Sequence, residues 1–116
     1  MSKAREILKN WKENLPGDAD LNEAEAVAKE FFPQIRHSKT GSHQMILVSD
    51  IIIKFLEEQK VKGKITSKEL QDYIKPFNYK GEVAISYHGK KVNKYNLDRL
   101  IKAIDIQEMV RGLKKD

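Results

Sequence analysis

The apolar residues of this chain change their spacing along its length, and that change restricts the folds open to it. Ala4, Ile7, Leu8, Trp11 and Leu15 fall on one stripe at helical spacing, with Ser2 placed to cap the helix and Pro16-Gly17 to end it. Ala24, Val27, Ala28 and Phe31 make a second stripe. Asn22 and Glu25 read as its capping box, Leu21 as its hydrophobic staple and Pro33 as its stop, after an acidic linker. Trp11 and Phe31 sit on these stripes, so they are expected as core contacts and not as a base-stacking platform. The pattern then shortens. Ile35-Arg36-His37-Ser38-Lys39-Thr40 is polar and basic and meets the apolar run Met45-Ile46-Leu47-Val48 through Gly41, which reads as a β-hairpin. From Gly81, Val83, Ile85 and Tyr87 alternate with Glu82, Ala84 and Ser86, the pattern of a half-buried strand that ends at a His88-Gly89 turn. Helical spacing returns at Leu97, Leu100, Ile101 and Ile104 after an Asn93 cap, and a last short helix is expected over 107–113.

Residues 50–77 read as a helical hairpin between the second and third strands. Ser49 or Asp50 caps a helix that runs to Gln59, and Thr66-Ser67-Lys68-Glu69 is a capping box that opens a helix over 67–75. The lysine-rich residues 60–64 form the solvated turn between them. The β-branched run Ile51-Ile52-Ile53 leaves a second assignment open, as a continuation of the strand.

The expected fold is therefore α+β: a two-layer sandwich of a three-stranded antiparallel sheet with helices on one face, plus a helical insertion between strands 2 and 3. At 116 residues the chain is expected to form a single domain. Within it, 1–33 supply the N-terminal helices, 34–49 and 81–88 the sheet, 50–77 the insertion and 93–113 the C-terminal helices.

Several function classes drop out on composition. The absence of cysteine excludes a disulfide framework, a thiol nucleophile and a thiolate metal site. Three histidines without a paired-carboxylate cluster lead to an expectation of no metal and no cofactor. The longest apolar runs are four or five residues, far short of a bilayer span, and no signal-peptide pattern opens the chain, so the expectation is a cytoplasmic protein without a membrane partner. The formal charge of +5 is uneven: residues 1–33 carry five Lys/Arg against seven Asp/Glu, and the remainder is strongly basic. A basic domain is predisposed to phosphate-rich partners.

Gly41-Ser42-His43 places a histidine just after a flexible turn, at the start of an apolar strand. Imidazole, with an unperturbed pKa of about 6.5, gives and takes protons near neutrality. A lone strand histidine is in itself ordinary, and Gly41 and Ser42 have plain turn roles as well: a positive φ and a local backbone hydrogen bond.

Taken in order, these motifs resemble a known family. A helix, then Gly41-Ser42-His43 opening a strand, then Ile85-Ser86-Tyr87-His88-Gly89-Lys90-Lys91-Val92, then a helix with Leu97-x-x-Leu100-Ile101-x-x-Ile104 is similar to the HicA family of toxin ribonucleases. The resemblance covers roughly residues 21–110 and lies in the ordered pair of motifs. It implies a double-stranded-RNA-binding-domain-like fold, cleavage of messenger RNA, inhibition by a HicB-type antitoxin, and His43 as the catalytic residue. The stretch over 50–77 and the first helix depart from the compact members of that family.

RNA carries its own nucleophile, the 2′-hydroxyl. Its cleavage without a metal needs a base for that proton, an acid for the leaving oxygen and cations for the phosphorane charge. His43 is the candidate base or acid, His88 the candidate second proton carrier, and His37 a third. Lys39, Lys90, Lys91 and Lys94 are candidates to hold phosphate, with Gly41 and Ser42 forming a small, donor-rich turn that a phosphate can approach closely. Two other readings stay open: a double-stranded-RNA module that binds without cutting, and a protein-interaction module that docks through 50–77.

Overall fold

The computed structural model describes residues 2–38, 43–62 and 67–113. In chain order the elements are α1 (Lys3–Glu13), β1 (Asp18–Asp20), α2 (Leu21–Phe31), β2 (Gln34–Ser38), β3 (Gln44–Val48), α3 (Asp50–Lys62), α4 (Ser67–Tyr73), β4 (Glu82–Ser86), β5 (Lys91–Asn93) and α5 (Lys94–Leu113). The fold is mixed α+β, with helices and a three-stranded antiparallel sheet in the order β2-β3-β4. The alternation read from the sequence decides which face is buried. Met45, Leu47, Val83 and Ile85 are almost fully buried, while Gln44, Ile46, Ala84 and Ser86 on the opposite face are half-buried.

Helix capping follows the sequence in part. The Ser2 hydroxyl accepts from the Arg5 N–H and Asn93 Oδ1 accepts from the Asn96 N–H, as expected of caps. Ser49, not Asp50, caps α3: its hydroxyl accepts from the Ile52 N–H at 3.2 Å. Ile51-Ile52-Ile53 is helical and does not prolong β3. The capping box at Asn22 and Glu25 does not form, because α2 begins at Leu21 with Asp20 at its N-cap, and Glu25 pairs with Lys29 at 2.9 Å. The turn expected over 60–64 is helical through Lys62, and residues 63–66, with Thr66 of the second capping box, lie outside the described residues.

Two further expectations are corrected. The acidic linker is a strand: Asp18–Asp20 pairs antiparallel with Lys91–Asn93 in a separate two-stranded sheet, with Ala19 opposite Val92 and both buried. The two C-terminal helices are one helix of 20 residues, because Ala103, Ile104, Gln107 and Val110 carry the buried stripe past Asp105 without a break.

One buried polar node ties three elements together. The Ser49 hydroxyl donates to Gln107 Oε1, and Gln107 Nε2 donates to the Phe31 carbonyl at 2.7 Å. Gln107 is 1% exposed, so among the described residues its own amide is satisfied away from water only by these two groups and the neighbouring Glu108 carboxylate. Gly81 turns the chain into β4 at φ +72°, and a Cβ there would fall 2.5 Å from Ile53 Cγ1. No helix among the described residues is long and apolar enough to cross a membrane.

Replacing Gln107 by Ala leaves the Phe31 carbonyl without this partner and, among the described residues, the Ser49 hydroxyl with only its bond from the Ile52 N–H. The expected loss is about 2 kcal/mol of unfolding free energy in urea, the scale of one stranded buried group. A loss below about 1 kcal/mol would contradict the buried-node assignment.

Candidate functional site

The paired strands bring three aromatic rings to one rim of the sheet. The register Gln44 to Ser86 continues one residue further, where the Tyr87 N–H donates to the His43 carbonyl at 3.1 Å. His43 and Tyr87 therefore oppose each other across β3 and β4. His37 lies opposite Met45, which lies opposite Ile85, so His37, His43 and Tyr87 all alternate onto the face that carries the core. The His43 ring meets the Tyr87 ring edge-on, with centroids 5.8 Å apart and planes at 89°.

Tyr87 is 8% exposed, and a buried phenol needs a partner for its hydroxyl. Its Oη lies 3.3 Å from His37 Nδ1, and His37 Nε2 lies 3.7 Å from Glu25 Oε2 on α2. Both nitrogens of His37 thus face protein groups. His43 is exposed, and among the described residues neither of its ring nitrogens has a hydrogen-bond partner. The arrangement is a chain of supports, Glu25 to His37 to Tyr87 to His43, that ends in the one imidazole of the three-ring cluster open to a ligand. Glu25 and Tyr87 are absent from the sequence-derived candidates. The available signal was a tyrosine at an inward-facing position at a strand end, whose hydroxyl has to find a partner.

The other candidates fall on the turn between β4 and β5, which belong to different sheets, on β5 itself and at the start of α5. His88 and Lys91 exchange both backbone hydrogen bonds at 3.0 Å around Gly89, which has φ +60°. His88 is exposed, and among the described residues no ring contact or side-chain hydrogen bond joins it to His43. Lys90 and Lys94 are exposed as well, and the Lys90 carbonyl accepts from the Leu21 N–H at 2.7 Å. Lys91 differs from them, because its ammonium donates to Asp20 Oδ1 at 2.7 Å. That hydrogen bond and the carboxylate charge hold the Lys91 ammonium above the ordinary lysine range, so it stays charged while its field is largely answered by Asp20. Among the described residues Lys90 in the turn and Lys94 at the start of α5 form no ion pair, which leaves them the freer cations. Lys39, Gly41 and Ser42 lie outside the described residues.

Searches against protein-family models, curated proteins and solved structures find no match to this chain.

Tyr87→Phe removes the hydroxyl and keeps the ring that His43 packs on. The expected result is a loss of about 1 kcal/mol in urea unfolding, together with a changed nitrogen shift for His37 Nδ1 in imidazole NMR. An unchanged His37 spectrum would refute the contact.

Proposed function

We propose that this chain is a HicA-like endoribonuclease that cleaves messenger RNA by histidine acid/base chemistry. The observation that carries it is the exposed His43 imidazole, seated edge-on against a buried and anchored Tyr87 at the sheet rim, with Tyr87 followed in the chain by His88 and the basic turn to Lys91. In this reading neutral His43 takes the proton of the 2′-hydroxyl, O2′ attacks phosphorus, and the bond from phosphorus to O5′ breaks. His88 gives the departing O5′ its proton. An in-line displacement places base and acid on opposite sides of phosphorus, so the two imidazoles have no need to touch. Lys90 and Lys94 neutralise the charge that builds on the phosphorane oxygens, and Lys39, Gly41 and Ser42 would complete the phosphate cradle.

The same resemblance supplies the finer architecture: a double-stranded-RNA-binding-domain-like sandwich with its helices on one face of the sheet. It makes α3 and α4 an insertion between β3 and β4. It also brings a HicB-type antitoxin as inhibitory partner, toxicity by loss of message, and a cytoplasmic location. Support for the RNA reading comes from the basic excess after residue 33 and the small residues Gly41 and Ser42 that precede His43 in the sequence.

The test is cleavage of a long unstructured RNA in EDTA by the protein and by His43→Ala and His88→Ala. Cutting is expected from the parent, with a loss of about 100-fold or more in either variant. Salt-sensitive RNA binding with no cutting by the parent would replace this reading with a binding module.

A further inference from the structure

A second basic feature lies away from the histidine rim. Between α5 and the turn that follows α4 is a cavity of about 140 Å³ lined by Lys75, Pro76, Tyr95, Asp98, Arg99 and Lys102. Tyr95 and Arg99 stand one helical turn apart on α5, and so do Asp98 and Lys102, which places all four on one face. The acidic groups are already engaged: Asp98 pairs with Lys102 at 2.8 Å, and Asp72 with Lys75 at 3.2 Å. Arg99 is different. Its Nε donates to the Ala84 carbonyl at 2.9 Å, which fixes the half-buried guanidinium, and among the described residues it forms no ion pair. The two Nη groups are left as a positioned fork, the geometry that matches phosphate oxygens in pairs. Beside it Tyr95 is 71% exposed, more than any other large hydrophobic side chain described. An aromatic ring held in water next to a pinned guanidinium suits a base and its phosphate together.

We propose that this cavity is a nucleotide subsite for single-stranded RNA, in which the Arg99 fork holds a phosphate and Tyr95 stacks on the adjoining base. The proposal rests on the RNA reading above and adds the form of RNA taken. Bases in a duplex are stacked on each other and offer no free face to Tyr95, so the strand must be single at this point. The site is also within reach of the histidine rim. Arg99 is bonded at Ala84 and Tyr87 follows three residues later along the strand, about 10 Å at the usual rise per residue, so one extended strand can occupy both.

The experiment measures fluorescence anisotropy of a labelled eight-nucleotide oligouridylate, and of an RNA duplex of equal length, on the full chain carrying His43→Ala to prevent cutting. In that background Tyr95→Ala and Arg99→Lys are each expected to weaken single-strand binding about tenfold, while Tyr95→Phe keeps it within about twofold. Tyr95 makes no buried contact, so its variants report on binding and not on folding. Single-strand binding that is unchanged in both Tyr95→Ala and Arg99→Lys overturns the subsite and leaves the RNA reading standing. Preference for the duplex also overturns the subsite alone. No RNA binding by the parent overturns both.

Discussion

The outer edge of β4 is closed by side chains and not by a fourth strand, and the placement of α5 follows from that. Arg99 Nε donates to the Ala84 carbonyl and Asn96 Oδ1 accepts from the Ser86 N–H, both from α5. Asn78 completes the edge, with its N–H on the Glu82 carbonyl and its Oδ1 on the Glu82 N–H. A backbone polar group left without a partner in a buried place costs about 1–3 kcal/mol, so the two bonds from α5 fix the helix alongside the strand, while the two from Asn78 fix the turn that enters it. At the far end of α5, Gln107 repeats the principle on the Phe31 carbonyl and the Ser49 hydroxyl. The helix is thereby held at both ends, and β4 keeps one register against β3. A slip of one residue would turn Val83, Ile85 and Tyr87 out of the core.

The candidate site depends on that register. Tyr87 is the last inward residue of the strand, where the core thins toward solvent. Its ring is buried with the apolar residues and its hydroxyl reaches His37, which in turn faces Glu25 on α2. His43, across from it on β3, borrows the ring as a wall and keeps its nitrogens in water. A tyrosine suits this position because it offers an apolar body and a polar tip. α5, which lines the edge that orders the strand, supplies the Arg99 side chain at Ala84, and Tyr87 follows directly after the last residue of β4.

Much of this was legible in the sequence. The stripes of α1, α2 and α5, the hairpin strands β2 and β3 and the alternation of β4 are long enough for their apolar period to identify them. The β1–β5 pair was not, because each strand is three residues with a single buried side chain, Ala19 or Val92, and its partner strand lies more than 70 positions away along the chain. The continuity of α5 was missed at Asp105, an exposed acid that pairs with Lys12 of α1 and so belongs to the outer face of an unbroken helix. Glu25 read locally as half of a capping box, whereas its side chain serves α2 and β2 together. For the site, His43 stood out by its setting after a glycine turn, but the His37–Tyr87 contact spans 50 positions and only strand register reveals it.

The most direct test of the chemistry proposed for this rim is the identity of the ends that cutting would leave on RNA. Phosphorus NMR of the products from a substrate with one cleavable site, and from the same substrate lacking the 2′-hydroxyl there, separates the mechanisms. A 2′,3′-cyclic phosphate with a free 5′-hydroxyl, and no cutting of the deoxy substrate, is the expected result. Products bearing a 5′-phosphate, or cutting that persists without the 2′-hydroxyl, would contradict histidine-driven attack by the substrate's own hydroxyl.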